Sequence, residues 1–218
     1  MRRRIRYRGG KIEKRYARSD LLVDDATLEA RITTIAALSR AHGAIPETTL
    51  EVDGEHLVLE QTRISRGDRL PPGDPRVGPA LDGLAALLDA IAPHIVHGDV
   101  CRKNLVFDGE QLHLVDWEPA LRQLRDGRDT LLYTEPYISL GDIARDTLTT
   151  ETDKLGFFFL CLAIHHGPGR IEKTRALVRA RRTEQRCMTP IDEQAFMALS
   201  FAELNDLAER SDDWRVSG

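Results

Sequence analysis

The stretch "HGDVCRKN", residues 97–104, sets His97, Asp99 and Asn104 close together, and a further carboxylate, Asp116, follows at the end of the apolar run "LHLV". An aspartate and an asparagine in a short loop are ordinarily turn formers, because each hydrogen-bonds its own backbone. Together with Asp116 they also meet the demands of phosphoryl transfer. One carboxylate orients an acceptor hydroxyl and takes its proton. A second carboxylate and a carboxamide hold magnesium against the triphosphate oxygens. That chemistry also calls for a strand lysine on the α/β-phosphates and a helix glutamate that holds the lysine in place. Lys14 and Glu29 stand in that order along the chain. Lys11 is a rival for Lys14, but side chains alternate along a strand, which puts it on the opposite face from Ile12 and Lys14. Glu29 also reads as an ordinary first-turn charge facing the helix dipole.

The elements that must position these groups can be read from pattern. "RIRYR", "GG" and "KIEKRY" predict a hairpin turning at Gly9-Gly10. Leu28, Ile32, Ile35 and Leu38 recur at helical spacing through residues 24–43, with acidic residues at the start and Gly43 at the end. "TTLEVDGEHLVLEQ" predicts a second hairpin around Asp53-Gly54. Residues 63–79 are rich in glycine and proline and read as a connection. Beyond it, "ALDGLAALLDAIAPHI" predicts an amphipathic helix. "NLVF" and "LHLVDW" predict a short ribbon across Asp108-Gly109, and mainly helix is expected from about residue 142. The organisation expected is therefore a strand-rich part, 1–62, and a helical part, 63–218, with the polar motif early in the second.

Composition narrows the class. With 41% hydrophobic and 30% charged residues among 218, the chain is that of an ordinary globular protein. A net charge of −4 supplies no general attraction to nucleic acid or to an anionic membrane, so neither partner is expected. The longest apolar run, "LGFFFLCLAI" at 155–164, is half the length of a membrane span and reads as a buried helix. The basic start, "MRRRIRYR", has no apolar stretch after it and does not read as a secretion signal. Cys101, Cys161 and Cys187 are odd in number and far apart, which predicts neither disulfides nor a zinc site and points to a reducing, cytoplasmic setting.

"HGDVCRKN" followed by "LVDWE" resembles the catalytic and metal-binding loops of the protein-kinase-like superfamily, H-R-D-x-x-x-x-N and D-F-G. "KIEKRY" resembles the strand bearing the ATP-positioning lysine, "LEARITTIAAL" the helix bearing its glutamate, and "HLVLEQ" the strand leading into the adenine hinge. "TEPYISLGDIARDTLTTETDKLGFFFL" resembles the end of an activation segment running into the central buried helix, with Asp153 and Gly156 in place. The resemblance runs from residue 11 to about 165. It implies an α+β, bilobal fold that binds ATP and Mg2+ and passes phosphate to a hydroxyl of a protein or a small molecule.

By the same resemblance Asp99 is the catalytic base, Asn104 and Asp116 are magnesium ligands, and Lys14 contacts phosphate and pairs with Glu29. His97 supports the loop backbone, Asp153 braces the catalytic loop, and Ile12 covers the adenine. Glu60, Gln61 and Thr62 offer backbone hydrogen bonds to the adenine edge. The departures are informative. No G-x-G-x-x-G loop precedes Lys14, and Gly98 replaces the arginine that receives a phosphorylated activation loop. Cys101 stands where protein kinases carry a lysine near the γ-phosphate, and Lys103, with Arg102, is expected to supply that charge. Cys101 reads as a spectator, with a reactive thiol as the alternative. "HGD" and "DWE" lean toward aminoglycoside and choline kinases. The Asp116-to-Asp153 spacing, "TEPY", and the short stretch left for an acceptor pocket lean toward protein Ser/Thr kinases. The missing glycine loop leaves a third expectation, a nucleotide-binding scaffold with little turnover. His165 and His166 read as a helix end, and "RALVRARRTEQR" as a solvated helix face or a dock for an acidic substrate.

Overall fold

A computed structural model describes residues 4–20, 24–65, 70–117, 123–125, 128–130, 140–167 and 189–211. The first strand, β1 (Arg4–Arg8), turns back at Gly9 and Gly10 into β2 (Lys11–Ala17), and both glycines take positive φ, 51° and 80°. A two-residue hairpin turn of type I′, whose twist matches right-handed strands, needs two such residues in succession. A second hairpin joins β3 (Thr48–Asp53) to β4 (His56–Thr62). The four strands form one antiparallel sheet in the order β1-β2-β4-β3, so β4 is paired along both edges.

Between the hairpins lies helix α1 (Asp25–Ala41). Its start is fixed by Asp24, whose side chain accepts from Thr27 N at 2.7 Å, and its end by His42 N donating to Leu38 O at 2.9 Å. The buried positions of α1 are Leu28, Ile35 and Leu38, the apolar stripe visible in the sequence. After the glycine- and proline-rich connection comes α2 (Val77–Ile91), where a leucine-rich face is buried. A 3-10 turn at Arg102–Asn104 leads into the ribbon of β5 (Leu105–Phe107) and β6 (Leu112–Leu114). A further small ribbon pairs β7 (Gln123–Arg125) with β8 (Arg128–Thr130).

Among the described residues four more helices follow: α3 (Leu140–Arg145), α4 (Thr150–His166), α5 (Glu193–Ala198) and α6 (Phe201–Glu209). Eleven residues of α4 are buried, including the run Leu155–Ala163, so this is a core helix as expected. It packs on α6 through Phe157 and Phe201, edge to face at 5.5 Å. Ser200 and Glu203 close a capping box at the start of α6. One apolar cluster runs from Tyr16, Leu28 and Leu57 through Leu84 and Trp117 to Phe158 and Phe201, so sheet and helices share a core. No helix among the described residues is long and apolar enough to cross a membrane. The "TEPY" element and "RALVRARRTEQR" lie outside the described residues.

Candidate active site

Residues 95–104 form a loop between α2 and β5, and α4 holds it from below. Asp153, 4% exposed, accepts from His97 N at 2.8 Å and from Gly98 N at 2.7 Å. Gly98 has φ 82°, a left-handed conformation that an arginine there would adopt only with strain. The departure from H-R-D thus has a backbone reason. Gly156, one turn further along α4, lets the helix touch the loop: a Cβ there would sit 2.4 Å from Val100 O.

His97 is fully buried and works as a backbone clamp. Asp99 N donates to its Nδ1 at 3.2 Å, and its Nε2 meets Val115 O at 3.0 Å, which puts the proton on Nε2. Burial drives its pKa down to about 4, against the pull of the Val115 carbonyl and Asp99, so the ring stays neutral. Its edge packs against Trp117 with ring centres 4.8 Å apart, and the indole donates to Leu114 O at 2.8 Å. Val115 N returns a bond to Asn104 O at 2.9 Å. The loop bearing Asp99 and the turn bearing Asp116 are therefore one unit.

Within that unit Asn104, 2% exposed, donates from Nδ2 to Asp99 O at 2.8 Å and to Asp99 Oδ2 at 2.9 Å. Lys103 Nζ lies 3.1 Å from the same Oδ2. Burial opposes the charge on Lys103, but the attraction of Asp99 outweighs it and raises the pKa. Asp99 Oδ1 is buried, and no hydrogen-bond donor among the described residues reaches it. A buried carboxylate oxygen without a donor costs free energy, and a substrate hydroxyl is the kind of group that would relieve it. The thiol of Cys101, beside Asp99, is pushed up to about 11 by burial and by that carboxylate, which makes it the spectator of the two readings.

Asp116 has φ 65°, uncommon for a residue with a side chain and a mark of sites where geometry is imposed. Its Oδ1 forms an ion pair with Lys14 Nζ, which crosses from β2 and is 3% exposed. The register sets Lys14 opposite Ile5 and Ile12 opposite Tyr7, so these four residues belong to one face of the sheet. Ile5 and Tyr7 are among the exposed large apolar side chains, and Arg63 lies over the Tyr7 ring at 5.8 Å. The sequence reading passed over Ile5, Tyr7 and Arg63. Counting the face of β1 along with that of β2 would have found the first two.

The structure does not bring two sets of expected partners together. Glu29 is exposed on α1, while Lys14 is buried and paired with Asp116. The helix turns Leu28 inward, and the neighbouring position is carried about 100° round, away from the sheet. The backbone of Glu60, Gln61 and Thr62 lies within the central strand β4, paired to Lys11–Glu13 on one side and to Thr48 and Thr49 on the other. The groups of Glu60 and Gln61 are spent on the sheet, and Thr62 N is taken by Glu47 O at 2.9 Å. Gln61 turns its side chain inward to Thr48 Oγ1 at 3.0 Å. His165 and His166 end α4 and meet Asn205 Oδ1 and Ala208 O, as a helix end rather than a metal site.

The oxygen donors suit magnesium. Asp116 brings a carboxylate and Asn104 a carboxamide whose nitrogen, rather than its oxygen, is engaged by Asp99. Magnesium takes one or two protein oxygens of this kind and fills its octahedron with phosphate and water.

A four-stranded sheet with one helix, a buried loop carrying Asp99 and Asn104, and a cross-sheet Lys14–Asp116 pair define a protein-kinase-like fold. Among solved structures the chain is similar to the pseudokinase domain of BIR2, an immune regulator of the RLK/Pelle family. The TM-score is 0.56 at 13% identity, over 94% of this chain and 68% of that one. The sequence model of a phosphotransferase enzyme family, APH, matches residues 3–124, more than half of the chain, and the protein belongs to that family. A comparison with curated proteins gives no match.

Proposed function

We propose that this protein transfers the γ-phosphate of Mg-ATP to a hydroxyl group, with a protein serine or threonine as acceptor. The observation that carries the reading is the Asp99 carboxylate, held by Asn104 and Lys103 with one buried oxygen left for a donor. ATP would lie beneath the face of Ile12 and Lys14, its adenine edge met by the end of β4 and the chain just beyond it rather than by Glu60 and Gln61. Asp99 would accept the proton of the acceptor hydroxyl, and Lys103 would offset charge near it. Lys14 would exchange Asp116 for phosphate oxygens. Magnesium, held by Asp116 and Asn104, would supply charge neutralisation at the transferring phosphate. On this reading residues 1–62 hold the nucleotide and 63–218 the catalytic loops. Two buried free thiols, Cys101 and Cys161, support a cytoplasmic setting.

A small-molecule acceptor is the second reading, favoured by the family match and by Gly98 in "HGD". Incubation of the full chain with γ-labelled ATP and magnesium, once against lysate protein and once against pooled sugars and amino alcohols, separates the two. Label on neither would sink the phosphotransfer proposal, and a rise in melting temperature at millimolar Mg-ATP would then favour a nucleotide-binding scaffold.

A further inference from the structure

Arg31 lies on α1, three positions after the buried Leu28 and on the same side of the helix. Its Nη2 donates to Val96 O and to Trp117 O, each at 3.2 Å. Val96 is the residue before His97, and Trp117 the residue after Asp116. One guanidinium nitrogen, which carries two protons, therefore clips the entrance of the base loop to the exit of the metal turn. The other ties noted above that join the two segments, His97 to Val115 O and Val115 N to Asn104 O, lie within the C-terminal part of the chain. Arg31 reaches them from the N-terminal helix, across 65 and 86 residues of sequence.

We propose that Arg31 is a positioning residue of this site: it locks α1 to both catalytic segments and takes the bracing role that Glu29 does not fill. The geometry favours arginine for this work. Its planar Nη2 amino group, always protonated, points one proton at each carbonyl, whereas an acidic side chain at this place would face two carbonyl oxygens. Because the clip closes on backbone carbonyls, α1 is held in place without an ion pair to Lys14. A helix held this way is set for activity without a phosphorylation-driven swing, in keeping with Gly98 in place of the phosphate-receiving arginine.

Only the kinetic arm of the test rests on the phosphotransfer reading. The chain has two tryptophans, so Trp214→Phe leaves Trp117, 0% exposed, as the sole indole beside the clip. In that background Arg31→Met should raise acrylamide quenching of Trp117 about threefold or more while the circular dichroism at 25 °C stays folded. It should lower kcat about tenfold or more with KM for ATP within about twofold, since alignment and not ground-state binding is lost. Arg31→Lys, which keeps a donor and the charge, should recover part of both. Arg31→Gln, too short to reach both carbonyls, is judged by the same readouts should the methionine variant not fold. Quenching and kcat unchanged in a folded Arg31→Met or Arg31→Gln variant overturn the proposal. If the parent protein shows no phosphotransfer to any acceptor, the quenching arm alone upholds or overturns it.

Discussion

Gly156→Ala should damage the site from beneath, and the structure sets the scale. The new Cβ would sit 2.4 Å from Val100 O, where ordinary van der Waals contact begins near 3.4 Å, so helix and loop must part by about 1 Å. The neighbour is backbone and has little freedom to give. Asp153, on the same helix, holds His97 N at 2.8 Å and Gly98 N at 2.7 Å. A separation of that size would stretch both bonds past about 3.6 Å, where a hydrogen bond is no longer made. Overpacking and the weakened charged bonds together cost about 3 kcal/mol. For a chain of this size that is a fall in melting temperature of roughly 6–12 °C. Misplacing Asp99 by about 1 Å should lower kcat by on the order of 100-fold. Gly83→Ala is the control: nothing lies within 4 Å of its added Cβ, and an exposed helical glycine replaced by alanine should gain about 0.5–1 kcal/mol. Differential scanning calorimetry and single-turnover transfer read both variants. Gly156→Ala melting within about 2 °C of wild type and turning over at the same rate would refute the reasoning.

Lys14→Met should cost phosphotransfer about 100-fold or more with only a small change in melting, because the partner, Asp116, keeps a 31% exposed side chain that water can solvate. Glu29→Gln should change the rate less than about twofold, and a large loss on steady-state kinetics would restore the lysine–glutamate pairing. Asp153 is raised to about 7 by burial, against bonds from Gly98 and His97, so the folded protein takes up a proton that the unfolded chain has released above about pH 4. Its own contribution to stability therefore falls as pH rises from about 4 to 7, and wild type should lose melting temperature relative to Asp153→Asn across that window. His97, lowered to about 4, has the opposite sign below about pH 6.5 and is common to both proteins, so it cancels in the difference. A difference flat in pH contradicts the assignment. Cys101, with its thiol near 11, should resist iodoacetamide at pH 7.5 in the folded protein, as peptide mapping by mass spectrometry would show; rapid labelling would point to a reactive thiol.

Much of the architecture was legible because it is local. Gly9-Gly10 and Asp53-Gly54 fix the two hairpins, the spacing of Leu28, Ile35 and Leu38 fixes α1, and the run at 155–164 fixes the buried centre of α4. The motif "HGDVCRKN" picks out a loop in which Asp99, Lys103 and Asn104 meet within one short turn. What the pattern does not show is phase and strand order. Leu28 points inward, so Glu29 cannot, and only the position of β4 between β2 and β3 shows that Glu60 and Gln61 have no spare backbone. Arg31 carries no motif. Its partners are carbonyls far along the chain, a kind of contact that residue type does not announce. The β7–β8 ribbon was likewise unannounced, since "QLR" and "RDT" are too short for a periodic signal.

Single-turnover transfer of labelled γ-phosphate by Asp99→Asn, set beside its Mg-ATP thermal shift, tests the central claim most directly. The account predicts a rate at least about 100-fold below wild type, with the Mg-ATP stabilisation kept, because the base is lost and the nucleotide site is not. Transfer at the wild-type rate by purified Asp99→Asn would contradict it.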